Sequence, residues 1–214
     1  GALTLTAGIS SISFVGFPIF ELLFGKEGLQ MGVLMSQAGS FVVCGTLGIF
    51  TASYYSASEV SAKKIVKDIF QFPPFVAFCI ALILNIIGFH FPTVSSEILQ
   101  KIGSPFTILA LISIGLQISF RRDDLQVKPL LYGLFYKLLI APLLIFILYF
   151  LIIGEHTFLG KISVVGAALG SMNTATIIAI NYGLNPKLAT QMVSISIPLS
   201  FLNVGVWGLV ISYW

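Results

Sequence analysis

Two stretches of this 214-residue chain concentrate small, hydroxyl-bearing and helix-breaking residues within apolar sequence. The first reads Gly8-Ile9-Ser10-Ser11-Ile12-Ser13-Phe14-Val15-Gly16-Phe17-Pro18, and the second Gly166-Ala167-Ala168-Leu169-Gly170-Ser171-Met172-Asn173-Thr174-Ala175-Thr176. Pro18 has no backbone N–H, and Gly16 and Gly170 tolerate unusual dihedrals, so both stretches are expected to interrupt helices. The freed amides and carbonyls then need partners where there is no water, and a bound solute can supply them. Half-helix N-termini present N–H groups and a positive dipole end, which favours an anionic group such as a carboxylate. The hydroxyls of Ser10, Ser11, Ser13, Ser171 and Thr174 and the amide of Asn173 are the candidates to complete such a site. The competing reading is that small residues merely let helices pack closely and that Pro18 is an ordinary kink.

Lys137 lies about two turns into another apolar run, where an ionisable group either faces a cavity, attracting an anion, or snorkels to the interface. Gln37 and Asn203, on the runs that follow the two stretches, are the amides most open to a ligand role. Asn85, Gln117 and Gln191 read as hydrogen-bonding glue between helices, and Glu21 as a carboxylate reaching headgroup water. Covalent chemistry finds no support: there is no Ser-His-Asp grouping, phosphate-binding glycine loop or paired-carboxylate arrangement, and Asp123-Asp124 follow Arg121-Arg122 in a polar connection. His90 and His156 lack neighbours at metal-ligand spacing, and Cys44 and Cys79 sit inside apolar runs. Neither an enzyme nor a metal or other cofactor is expected.

The elements that position these residues are set by composition. With 57% hydrophobic and only 9% charged residues, and a mean hydropathy of +1.02, the chain carries more apolar surface than a water-soluble fold can bury. Runs of roughly 20 apolar residues give spans at 3–24, 29–53, 72–89, 104–120, 129–153, 161–181 and 188–212. Lysine and arginine gather in alternate connections: Lys63, Lys64 and Lys67, then Arg121, Arg122 and Lys128, then Lys187, against only Lys26, Lys101 and Lys161 in the others. That asymmetry puts the second, fourth and sixth connections in the cytoplasm and the C-terminus outside. Ser56 to Phe70 reads either as an interfacial amphipathic helix or as a solvated linker, and Val94 to Ile102 as a short interfacial helix. No basic stripe points to nucleic acid.

Sliding the chain against itself by 158 residues pairs Gly8 with Gly166, Ser13 with Ser171, Gly25 with Gly183 and Ser36 with Ser194. The paired spans are five crossings apart and therefore run in opposite directions, an inverted repeat of the kind found in secondary transporters.

At these residues the sequence resembles the auxin efflux carrier family, which includes plant PIN-type carriers and bacterial permeases for small organic acids. The pattern from Ser13 to Pro18, with Glu21 and then Phe24-Gly25-Lys26-Glu27-Gly28, is similar to the family's fourth helix. Gly103-Ser104-Pro105-Phe106 and the run to Leu116 resemble the seventh, Lys137 to Pro142 the eighth, and Asn173 to Gly183 the ninth. The resemblance implies an all-α integral membrane protein, seven helices of a ten-helix, five-plus-five inverted repeat with two broken crossover helices. Three N-terminal helices are then expected to be absent, in keeping with a chain that opens Gly1-Ala2-Leu3. Residues 1–55 would end the first repeat, 56–71 form a cytoplasmic linker, 72–120 supply scaffold helices and 129–214 transport helices.

It further implies a plasma-membrane carrier of small organic anions, auxin-like or dicarboxylate, working by an elevator motion, with proton coupling open and a homodimer when full length. For Lys137 it favours the functional reading. Two departures leave the substrate unassigned: Ser11-Ile12 stands where many members carry Asn-Thr, and Gly170 where many carry proline. A non-transporting sensor on the same fold remains an alternative. A channel would need a continuous polar stripe, which the sequence lacks.

Overall fold

The computed structural model describes residues 1–56, 73–89, 91–105, 108, 109, 112, 125–154 and 157–213. Eight helices are described: α1 (Ala2–Gly8), α2 (Ile12–Tyr55), α3 (Pro73–Ile86), α4 (Thr93–Gly103), α5 (Val127–Ile153), α6 (Phe158–Ala168), α7 (Asn173–Asn181) and α8 (Pro186–Ser212). Among the described residues, α2, α5 and α8 are long and apolar enough to cross a bilayer. With 11 and 9 residues, α6 and α7 are each about half the length of a spanning helix, and end to end they reach roughly 30 Å. Apolar side chains such as Phe50, Leu131, Ile152, Leu202 and Leu209 are exposed on the outer helix faces, as a lipid solvent allows.

α2 is two legs. Gly25, at φ 66° and ψ −154°, turns the chain between them, and Gly183, at φ 70°, turns it between α7 and α8; positive φ is open to glycine at no steric cost. Gly28 and Gly32 let the second leg fold back against the first, because a Cβ on Gly28 would run into the Phe20 carbonyl and one on Gly32 would lie 2.5 Å from Phe20 Cδ2. Replacing Gly28 with leucine should therefore cost about 1–3 kcal/mol, read as a lower thermal midpoint in detergent. An unchanged midpoint would mean the legs do not need this approach.

Two apolar cores flank the centre. One joins Ile12, Val15, Ile19 and Phe20 of α2 to Ile162 and Val165 of α6, Phe146 and Phe150 of α5 and Trp207 of α8. The other joins Ala2 and Leu5 of α1 to Ala175 and Ala179 of α7 and Ala189 and Met192 of α8. Each half of one broken helix thus packs against the opposite half of the other.

The described ends of the three basic connections lie close together. Ser56 Oγ donates to the Tyr182 carbonyl (2.9 Å), and the Gln126 and Asn185 side chains exchange two hydrogen bonds (3.2 and 2.8 Å). Gln126 N–H also donates to Gln191 Oε1 (3.2 Å). Asn185, at φ 38°, caps α8 by accepting the Leu188 N–H.

The expected fourth span, 104–120, and the segment from Ser56 to Phe70 fall largely outside the described residues. The stretch read as a short interfacial helix is α4, none of whose residues is buried.

Candidate functional site

Both candidate stretches are breaks, and they cross. α1 ends at Gly8, and the chain resumes with a π-helical turn, Ile12–Gly16, that leads into the rest of α2. α6 ends at Ala168 and α7 begins at Asn173. Between them Ser10 and Ser171 form an antiparallel backbone bridge: the Ser11 N–H donates to the Gly170 carbonyl (2.9 Å) and the Met172 N–H to the Ile9 carbonyl (3.1 Å). Two interrupted helices in a solvent without hydrogen-bonding capacity thereby satisfy each other's backbone. Both helices restart close to the bridge, at Ile12 and at Asn173, and each begins there with its positive dipole end.

The bridge corrects the register of the repeat. An offset of 158 residues matches Ser171 to Ser13, whereas the backbone pairs it with Ser10, three residues earlier. The Gly25 and Gly183 turns keep the 158 spacing, so the first leg of α2 is three residues longer than α7 plus its turn. Part of the excess sits in the π-helical turn, which holds one residue more per hydrogen-bonded ring than an α-turn.

Beside the crossover lies a cavity of about 690 Å³. Ser13, Gln37, Asn173 and Thr174 line it, together with Thr176, Thr190 and Ser194, while Phe14, Phe17, Phe41, Ile177, Ile180 and Val193 form its apolar part. Among the described residues, no charged side chain lines it. Gln37 Oε1 is buried without a hydrogen-bond partner. Pro198 lies inside α8 and has no N–H to return to the Ser194 carbonyl, one turn earlier on the cavity wall.

The other candidates, Ser10, Ser11, Gly16, Pro18, Gly170, Ser171, Lys137 and Asn203, are not among the residues lining this cavity. Lys137, 1% exposed, lies in a π-helical turn of α5, Tyr136–Ile140, just before Pro142, and its Nζ donates to Ser10 Oγ (2.6 Å). Its stem therefore runs inward to the first break and not to an interface. Ser11 is buried and its hydroxyl has no partner. Gly16 packs against Leu169, where a Cβ would lie 2.8 Å from Leu169 Cδ1, and Pro18 is buried in the first turns of its helix. Gly170 meets the α8 backbone, and the Ser171 N–H donates to Ser196 Oγ (2.9 Å). Asn203 is not brought to the cavity; its Nδ2 donates to the Ala168 carbonyl (3.0 Å), closing the C-terminal end of α6. Sequence reasoning missed Ser196, Thr190 and Thr176, since single hydroxyls on apolar helices carry no spacing signal.

A family model described as membrane transport protein, the auxin efflux carrier family, matches residues 56–208, which include Lys137, the second break and most of α8. An uncharacterized transporter of Methanothermobacter thermautotrophicus is 30% identical over 213 residues, 98% of this chain and 67% of that protein. A second, from Methanocaldococcus jannaschii, is 25% identical over 211 residues, 97% of this chain and 67% of that protein. Both alignments take in the first break as well. The chain belongs to the auxin efflux carrier family of membrane transport proteins and is an all-α membrane transporter.

Proposed function

We propose that the protein is a secondary carrier of small organic anions whose carboxylate binds at the crossover. The observation that carries this reading is the Ser10–Ser171 bridge, which brings two helix restarts together beside the buried Lys137 Nζ. The side chains of Ser13, Asn173 and Thr174 line the cavity at the start of α7, where helix N–H groups and side-chain donors suit an anion. Among the described residues the lining offers aromatic and branched surface and no cation, Lys137 standing at the first break outside it. That favours one carboxylate on an apolar body, as in the auxin-like class, over a dicarboxylate whose second charge would be left unpaired.

Transport follows from moving the crossover relative to a scaffold in an elevator motion. In this reading 129–214 with 1–55 form the moving part, 56–71 is a cytoplasmic linker and 72–120 belongs to the scaffold. The excess of lysine and arginine in the second, fourth and sixth connections supports reading that side as cytoplasmic and the C-terminus as outside the plasma membrane. The membrane potential or a proton gradient drives the cycle, and the scaffold pairs two copies of the complete carrier.

The test is reconstitution in liposomes with electrogenic currents recorded on addition of indole acetate, malate and malonate. Saturable currents are expected, strongest with indole acetate. Asn173→Ala should raise the half-saturating concentration about tenfold, the loss of one hydrogen bond to a charged group. Currents untouched by Asn173→Ala would move the site elsewhere, and silence toward every acid across several pH values would favour a sensor.

A further inference from the structure

The two breaks are held unequally. α8 grips the second at several points. The Ser196 hydroxyl accepts the Ser171 N–H (2.9 Å) and donates to Ser171 Oγ (3.1 Å), and Asn203 donates to the Ala168 carbonyl (3.0 Å). Gly170 comes so near that a Cβ there would lie 2.9 Å from Ile197 Cα. Positions 196 and 203 are two helical turns apart, so their side chains leave α8 on the same face. Residues 168–171 are thus fastened at both ends to one helix, α8.

The first break has nothing comparable. Among the described residues its one side-chain bond comes from Lys137 Nζ to Ser10 Oγ. The hydroxyls of Ser11 and of Ser36, on the second leg of α2, are buried without partners. An ammonium on a flexible four-carbon stem is a releasable contact, unlike an amide and a hydroxyl fixed on a packed helix.

Neither Ser196 nor Asn203 lines the cavity, yet both bond to the residues that lead directly into Asn173 and Thr174. We propose that Ser196 and Asn203 are positioning residues: they splint the second break to α8, making the α7 N-terminus the fixed half of the crossover and the first break the half that shifts. The consequence for transport rests on reading the cavity as the anion site. The consequence for backbone protection does not.

Hydrogen–deuterium exchange of the detergent-solubilised protein, read on peptides covering 9–16 and 169–176, tests it. The second peptide is expected to exchange at least tenfold more slowly. Ser196→Ala and Asn203→Leu should each speed it threefold or more while leaving the first unchanged, and Asn203→Gln, which keeps a donor, should restore most of the protection. In liposomes the two disabling variants should raise the half-saturating concentration about fivefold with the maximal current within twofold of wild type. Equal exchange at the two breaks overturns the proposal. So do variants that lower the maximal current at unchanged half-saturation, the mark of fewer folded molecules. A wild type without saturable currents removes the anion-site reading and leaves the exchange contrast to decide the splint.

Discussion

Lys137→Met should weaken anion binding about twentyfold and at the same time make the empty protein more stable. The ammonium is 1% exposed and bonded to Ser10, two residues before the helix that restarts at Ile12. At an effective dielectric near 20, a unit charge about 10 Å from a bound carboxylate contributes about 1.7 kcal/mol, which is a little under twentyfold in affinity. With no anion present, the same charge faces two positive helix ends and apolar walls, an arrangement that costs stability. Methionine fills a similar volume without that cost. The checks are concentration dependence of the liposome current and thermal unfolding in detergent without substrate. A variant with unaltered half-saturation would show that Lys137 only ties down the first break, and one that loses both transport and stability would make it a packing residue.

Gly170→Val should be among the most damaging single changes in the chain. Its Cβ would stand 2.9 Å from both Ile197 Cα and Ile197 N and 3.0 Å from the Ser196 carbonyl carbon, all of them backbone atoms of α8 with no rotamer to yield. α8 must move away, and the Ser196 and Asn203 bonds to the second break stretch with it. Overpacking of about 1–3 kcal/mol and two weakened hydrogen bonds of about 1 kcal/mol each sum to about 3–5 kcal/mol. A thermal midpoint lower by roughly 10 °C is expected, with poor yield of monodisperse protein. A midpoint within about 2 °C of wild type would mean that α8 does not press on this glycine.

Much of the crossover could be read from residue types alone. Ser10-Ser11 and Gly170-Ser171 stand out because hydroxyl-bearing and helix-breaking residues cluster there in two spans that run in opposite directions, and Gly25 and Gly183 announce turns that the backbone makes with positive φ. The register could not be read, because the three extra residues between Ile12 and Gly25 are taken up partly by a π-helical turn, and such a turn leaves hydropathy unchanged. Asn203 shows a second limit. Its position on the helix after a break made it a candidate ligand, but whether an amide faces a cavity or the end of α6 depends on how α8 is rotated about its axis. Lys137 shows a third: a stem of four carbons reaches inward or outward with equal ease, and only the neighbouring helix decides which.

The pairing of Ser10 with Ser171 also imposes an order on biogenesis. A ribosome adding about 5–20 residues per second reaches Ser171 roughly 10–30 s after Ser10. Throughout that interval the carbonyl of Ile9 and the amide of Ser11 have no Gly170 or Met172 to bond. A nascent first break cannot rest in hydrocarbon in that condition without a cost of several kcal/mol per bare group. It has to wait in the aqueous lateral opening of the insertion machinery, at the headgroup level, or against a membrane chaperone until α6 and α7 emerge. Insertion of this protein is therefore a two-ended event, in which a helix synthesised well before α6 and α7 settles only once they have emerged.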